Sequence, residues 1–140
     1  MDGDGVDDVL VKEGLANITY LVPGPISGFA QTEDVATASI RADDGYGLFG
    51  IGRSFGFDAN DDGHLDLAFG DSWGGDGTSE NGQAWLFLGP MVGERSASEA
   101  STAAFTATTV GSDFGENLDI TSDLDGDGAL DLSEIGRAHV

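Results

Sequence analysis

Apolar and polar residues alternate in short runs along this chain. Ala38, Ile40 and Ala42 alternate with Ser39 and Arg41, and Ala103, Phe105 and Ala107 repeat the arrangement. Leu65, Leu67 and Phe69 alternate with Asp66 and Ala68. A period of two places one set of side chains on one face of a strand, so each run predicts a half-buried strand. Segments 17–22 and 83–88 are more continuously apolar and read as strands buried on both faces. Four strands per unit result, near 52–57, 64–70, 83–88 and 102–109, with Tyr20, Trp85 and Phe87 as strand-borne core residues. No window sustains a 3.6-residue period beyond two turns, and 23 glycines against 3 prolines suit short strands joined by tight turns.

The pattern is itself repeated. A shift of 65 residues aligns 24–67 with 89–132 without a gap and gives 14 identities in 44 positions. These include Gly24-Pro25 with Gly89-Pro90, Gly28 with Gly93, Thr37-Ala38 with Thr102-Ala103, and Phe49-Gly50 with Phe114-Gly115. They continue through Asp58 with Asp123, Asp62-Gly63 with Asp127-Gly128, and Leu65-Asp66-Leu67 with Leu130-Asp131-Leu132. Asp4-Gly5 and Asp8 match Asp62-Gly63 and Asp66 at a shift of 58, the difference falling in the longer loop 71–83. The organisation predicted is the back of one repeat over 1–49, a whole repeat over 50–113, and the start of another over 114–133. Four short antiparallel strands per repeat is the pattern of a propeller blade. The fold class expected is therefore all-β, a partial β-propeller of about two four-stranded antiparallel blades.

Each repeat carries one Asp-rich loop. In the whole copy it runs from Asp58 to Asp66, with Asp58, Asn60, Asp62 and Asp66 at loop positions 1, 3, 5 and 9. In the last copy the same positions hold Asp123, Asp125, Asp127 and Asp131. Ca2+ takes six to eight oxygen ligands, and alternate positions of a tightly wound loop converge on one point. Glycine at position 6 permits the sharp turn that presents the position-7 backbone carbonyl, that of His64 or Ala129. In the first copy Asp2, Asp4 and Asp8 hold positions 3, 5 and 9 and Val6 supplies the carbonyl, while position 1 would precede Met1. A longer parent chain is expected on that ground. Turn preference alone explains Asp and Gly in a loop, but not the same spacing three times. The His64 side chain is expected to face solvent. Trp73, in the long loop, reads equally as a ligand contact or a blade cap.

Composition agrees with a cation-binding role. Five Lys and Arg face 26 Asp and Glu, a formal net charge of −21, which disfavours nucleic acid and anionic membrane surfaces as partners. The 39% hydrophobic content is enough for a core and argues against disorder. The absence of Cys excludes thiolate metal sites, disulfides and thiol catalysis. No apolar run approaches the ~20 residues of a membrane-spanning helix, and Asp2-Gly3-Asp4 after Met1 does not read as a signal peptide.

Phe49-Gly50, Asp58 through Leu67, Gly70, and Gly82 through Gly89-Pro90 together resemble the FG-GAP repeat of integrin α-subunits and bacterial surface proteins. Phe114-Gly115 through Leu132 resembles the start of the next repeat. The resemblance implies a seven-bladed propeller with calcium on the loop between the first two strands of a blade, and an extracellular or cell-surface location. Asp71-Ser72 departs from it, since the family usually has Ala-Pro there.

A rival reading is the EF-hand, which Asp123 to Glu134 fits with a carboxylate at position 12. Position 12 is Phe69 in the whole copy and Val11 in the first, neither a ligand, and no helix signals flank the loops. Residues 134–140, Glu-Ile-Gly-Arg-Ala-His-Val, back-translate to a sequence similar to the opening of a common short-read sequencing adapter. They read as an artefact, and Glu134 with them. The chain shows no catalytic constellation, having no Cys, one His before the tail and no Ser in a nucleophile-like turn. Three roles remain: an adhesion or binding module with a protein or glycan ligand on its loops, a non-catalytic propeller attached to a secreted enzyme, or a structural spacer.

Overall fold

The computed structural model describes residues 4–43, 54–74, 81–120 and 123–134. Phe49-Gly50 and Asp2 lie outside the described residues. Among those described, the chain is mostly strand. In order it forms β1 (Val9–Glu13), β2 (Ile18–Val22), α1 (Thr32–Val35), β3 (Ala38–Arg41), β4 (Ser54–Phe57) and β5 (Asp66–Asp71). There follow β6 (Gln83–Phe87), β7 (Gly93–Ser96), α2 (Ala97–Ala100), β8 (Ala103–Thr106), β9 (Leu118–Ile120) and β10 (Leu132–Glu134).

The alternating runs become strands as expected, and they assemble into three open sheets. β4, β5, β6 and β8 form a four-stranded sheet in which every neighbouring pair is antiparallel. β1, β2 and β3 form its counterpart in the first repeat, and β9 pairs with β10 in the third. The 65-residue period is preserved in three dimensions. β2 and β6, α1 and α2, and β3 and β8 coincide residue for residue at that shift. Gly24-Pro25 and Gly89-Pro90 are both cis, and Gly28 and Gly93 both have positive φ, 75° and 70°.

One feature differs from the expected antiparallel blade. The fourth strand of the first sheet is β7, which lies in the second repeat and pairs in parallel with β3, from Ala38↔Gly93 to Arg41↔Ser96. The strands expected from sequence leave 89–101 unassigned. β7 is instead an edge strand lent by one repeat to the preceding one. This covering also explains why Ser39, a polar position of the alternating run, is buried along with Ala38 and Ile40. The equivalent strand β8 lacks such a neighbour among the described residues, and its Phe105 is exposed.

The core joins the first two sheets. Leu21, Ala38 and Ile40 meet Leu67, Phe69, Phe87 and Ala97. Phe69 and Phe87 stand edge to face at 5.5 Å between centroids, and Trp85 stacks beside Phe87. Full burial of either phenyl ring contributes about 1.5–3 kcal/mol. All six residues of β5 are buried. One face of the strand meets this core, and β9, with the fully buried Leu118, packs against β4 and β5.

The third repeat reaches the second sheet through glycine. Gly82 forms a parallel bridge with Phe114. A Cβ on Gly70 would collide with the backbone carbonyl of Gly115, which itself has φ 90°. Backbone can approach backbone here only without a side chain on either strand. Gly70→Ala is therefore expected to lower stability by about 1–3 kcal/mol. Gly14→Ala, where an added Cβ meets nothing within 4 Å, should leave it unchanged. Urea unfolding of the two variants beside the parent checks the contrast. Equal midpoints would show that the third repeat does not seat on Gly70.

Candidate metal centre

Each Asp-rich loop is wound around its own carboxylates. In the second repeat, Asp58 Oδ1 accepts from the amide of Asp62 at 3.1 Å, and Asp58 Oδ2 from Gly63 at 2.8 Å. Asn60 Oδ1 also accepts from the Asp62 amide, and Asp62 Oδ1 accepts from His64 at 2.8 Å. The third repeat reproduces this set. Asp123 Oδ1 and Oδ2 accept from Asp127 and Gly128, Asp125 Oδ1 from Asp127, and Asp127 Oδ1 from Ala129. In the first repeat Asp4 Oδ1 accepts from Val6 at 2.8 Å. Position 6 has positive φ in all three copies, 84° at Gly5, 83° at Gly63 and 98° at Gly128. Position 4 is also left-handed, at Asp61 and Gly126.

Position 9 is the anchor. Asp66 is fully buried, its Oδ2 accepting from Ala59 at 2.8 Å and its Oδ1 from Gly89 at 2.7 Å. Asp8 Oδ1 accepts from Gly24 at 3.0 Å, the equivalent bond one repeat earlier. Asp131 takes the amides of Leu124 and Asp125 on its Oδ2. Position 9 thus ties the loop to itself and, in two copies, to the turn that follows the next strand. From sequence this residue is a candidate ligand alone.

The copies differ in how far their oxygens converge. Asp123, Asp125 and Asp131 bring carboxylate oxygens within 4.8 Å of one another, a spacing at which one cation can touch all three. Asp127, at position 5, is not a member of that group. In the second loop, position 3 is the neutral Asn60, and its Nδ2 donates to Asp62 Oδ2 at 2.9 Å. That bond and the His64 amide hold the Asp62 carboxyl below the usual carboxylate range, the His64 amide contributing most. Both loops are largely exposed, His64 included. The backbone carbonyls of Val6, His64 and Ala129 stand at the expected seventh position, each following the left-handed Gly.

The flanking elements are strands. The second loop joins β4 to β5 and the third joins β9 to β10, both antiparallel pairs. Glu134, the position-12 residue of an EF-hand, does not turn towards its loop. Its Oε1 accepts from the amide of Gly115 at 3.0 Å. Its Oε2 is buried without a hydrogen-bond partner among the described residues. At the 65-residue shift Glu134 stands where the second repeat has the core residue Phe69. Burial pushes its carboxyl pKa up, the amides of Gly115 and Asn117 oppose this, and the charge of Glu116 adds to it.

One electrostatic relation was not legible in the sequence. Asp71 is buried at the end of β5, and its Oδ1 accepts from Trp73 at 3.1 Å. Burial lowers the Lys12 pKa to about 8, against the raising effect of the Asp71 charge. The Asp71-Ser72 departure from the resemblance thus puts a buried carboxylate within electrostatic reach of a lysine of the first sheet. Trp73 is exposed in the adjoining turn.

No family model matches the chain, and no curated protein matches it. Among the described residues no helix is long and apolar enough to cross a membrane.

The Glu134 environment has a pH signature. Its folded pKa lies above the ordinary 4.5. At pH below 4.5 the carboxyl is neutral in folded and unfolded chains, and stability is unaffected. As pH rises through the folded pKa, ionisation in the half-buried site withdraws stability. Glu134→Gln, neutral throughout, should match the parent near pH 4 and exceed its melting temperature at pH 7. Glu134→Phe should exceed it at both pH values. Parallel thermal melts of the three chains check this; a constant offset between parent and Glu134→Gln would remove the burial argument.

Proposed function

We propose that this chain is a calcium-binding segment of a β-propeller of the FG-GAP type, acting as an extracellular binding or adhesion scaffold and not as an enzyme. One observation carries the reading: three loops at repeat spacing share the bond from the position-7 amide to the position-5 carboxylate, and the third gathers carboxylate oxygens of Asp123, Asp125 and Asp131 to within 4.8 Å. Hard oxygen donors in an exposed, irregular loop suit Ca2+, which accepts irregular shells, better than Mg2+, which demands near-ideal octahedra. The ligand set is Asp58, Asn60, Asp62, the His64 carbonyl and Asp66 in the second repeat, and Asp123, Asp125, Asp127, the Ala129 carbonyl and Asp131 in the third. Asp4, the Val6 carbonyl and Asp8 belong to the first. The blade reading draws on the antiparallel order β4-β5-β6-β8 and on the stacking of successive sheets. Partners of a protein or glycan kind would be met by loops at one end of such blades. Location outside the cell follows from the resemblance and from the supply of calcium there.

At the ligand positions the two complete loops differ by one charge, Asp125 against Asn60, while the second loop carries its fourth Asp, Asp61, at the non-ligating position 4. Affinity for Ca2+ rises with ligand charge, so the third loop should bind more tightly than the second. Calorimetric titration is expected to resolve two classes of site, and Asp125→Asn should merge them. Calcium at about a hundred times its dissociation constant adds ~2.7 kcal/mol per site to folding, so a chelator should lower the melting temperature. A titration without heat, together with a melt indifferent to chelator, would overturn the calcium reading.

A further inference from the structure

The Asp-rich loop of the second repeat is bonded to the segment that joins this repeat to the one before it. Asp66, fully buried, divides its carboxylate between the two. Its Oδ2 accepts from Ala59 at 2.8 Å, at the start of the loop, and its Oδ1 from Gly89 at 2.7 Å, at the exit from β6. Residues 90–92 alone separate Gly89 from β7, whose first amide, that of Gly93, donates to the Thr37 carbonyl at 3.1 Å. We propose that the loop 58–66 controls the seating of β7 on β3, so that a divalent cation held there tightens the joint between the first and second repeats. This coupling rests on the calcium reading and gives it a direction, from a loop to the joint with the preceding repeat.

The connection admits little slack. A Cβ on Gly89 would stand 2.5 Å from the Leu65 carbonyl oxygen and 3.3 Å from the His64 Cβ, so the chain leaving β6 lies directly against loop positions 7 and 8. Pro90 then restricts the next φ. A loop that shifts must push on Gly89, and Gly89 passes the shift to β7. The first repeat is built in the same way. Asp8 Oδ1 accepts from Gly24 at 3.0 Å, and a Cβ on Gly24 would stand 2.5 Å from the Asp7 carbonyl oxygen.

The joint is of a kind that opens by itself. β7 pairs with β3 from Ala38↔Gly93 to Arg41↔Ser96, Arg41 reaches Glu94 at 3.3 Å, and Asp43 accepts from the amide and hydroxyl of Ser98 at 2.7 and 3.0 Å. Three of the four residues of β7 are exposed. A strand held by backbone bonds and surface polar contacts, with little apolar burial of its own, belongs to the part of a fold that opens first.

Two states are therefore linked through the orientation of one side chain. With β7 seated, Gly89 is fixed, and its amide on Oδ1 keeps Oδ2 of Asp66 turned to the loop. With β7 released, Gly89 leaves Oδ1 and that orientation is lost. A cation that needs position 9 as part of its shell binds the seated state better. In its absence the carboxylates of Asp58, Asp62 and Asp66 repel one another, which loosens the loop that Gly89 rests on. Coupling of this kind is reciprocal, so seating of β7 strengthens the site by the factor by which the site strengthens the seating.

Hydrogen–deuterium exchange of the 140-residue chain, with Ca2+ or with chelator, tests the coupling in peptides spanning 91–96. Ca2+ should slow their exchange about fivefold or more, the lower end of ordinary coupling between sites. Asp58→Asn and Asp123→Asn each keep an acceptor oxygen and remove one charge from equivalent positions of the second and third loops. The slowing should vanish in Asp58→Asn and persist in Asp123→Asn. Asp131 holds amides of its own loop, and among the described residues no bond from that loop reaches 89–96. In the reverse direction, the Arg95 amide alternates with that of Gly93 and points at β3. Arg95→Pro should therefore unseat β7, weaken Ca2+ at the second site by the same factor in calorimetric titration, and leave the third unchanged. If that variant does not fold, the two Asp variants decide alone. Equal loss of protection in both, the mark of a cation acting on the fold as a whole, overturns the coupling. So does exchange at 91–96 that stays unchanged while Ca2+ titrates into the second loop. A chain that takes up no Ca2+ removes the calcium reading and the coupling with it.

Discussion

A buried carboxylate at the ninth loop position governs how each repeat is put together. Asp66 lies fully out of solvent, at a cost that only hydrogen bonds from both sides offset. One oxygen holds the amide of Ala59 and so fixes the start of its own loop. The other holds the amide of Gly89 and so fixes the exit from β6. Charge-assisted bonds of this kind are about twice as strong as neutral ones. The single side chain thereby sets the hairpin β4–β5 against the third strand of the sheet. Asp8 performs the same closure on Gly24 one repeat earlier.

The loop geometry follows from that anchor. With its ends held, the loop winds its amides of positions 5, 6 and 7 onto the oxygens of positions 1, 3 and 5. Carboxylates gathered in this way repel one another, and a net charge of −21 adds to the repulsion. Backbone amides offset part of it, since each oxygen that accepts one sits near a partial positive charge. A divalent cation offsets far more, because it acts on all the carboxylates at once. On the calcium reading, ligand binding and folding share one free energy, as the loop gathers its oxygens only when the anchor is in place.

Much of this was legible in the sequence, because it depends on local spacing. Alternation located β3, β5 and β8, and the Asp and Gly positions located the loops. The continuously apolar runs 17–22 and 83–88 located β2 and β6. What escaped the reading depends on contacts between repeats. Gly93–Ser96 has no strand-like alternation of its own and becomes β7 only because β3 offers it an edge. Ser39 is buried because β7 lies beside it, which no local pattern encodes. Asp71 departs from the repeat in sequence, and the effect of its charge on Lys12 required knowing which sheets lie near each other. Glu134 fits a ligand-loop spacing in sequence, yet its Oε1 turns to Gly115 because β9 and β10 form a hairpin.

These misses share a cause, which concerns the unit of folding. Every residue of β5 is buried, one face against the core shared with the first sheet and the other beneath the third repeat. A lone repeat would expose one of those faces. It would also leave the edge of its outer strand open, as β8 is. Stability in such an array is a sum of repeat and nearest-neighbour terms. Here the neighbour terms include a parallel strand exchange, an aromatic core between sheets and a glycine-on-glycine contact. The pair of adjacent repeats, and not the single repeat, is therefore the smallest piece in which these residues find all their partners.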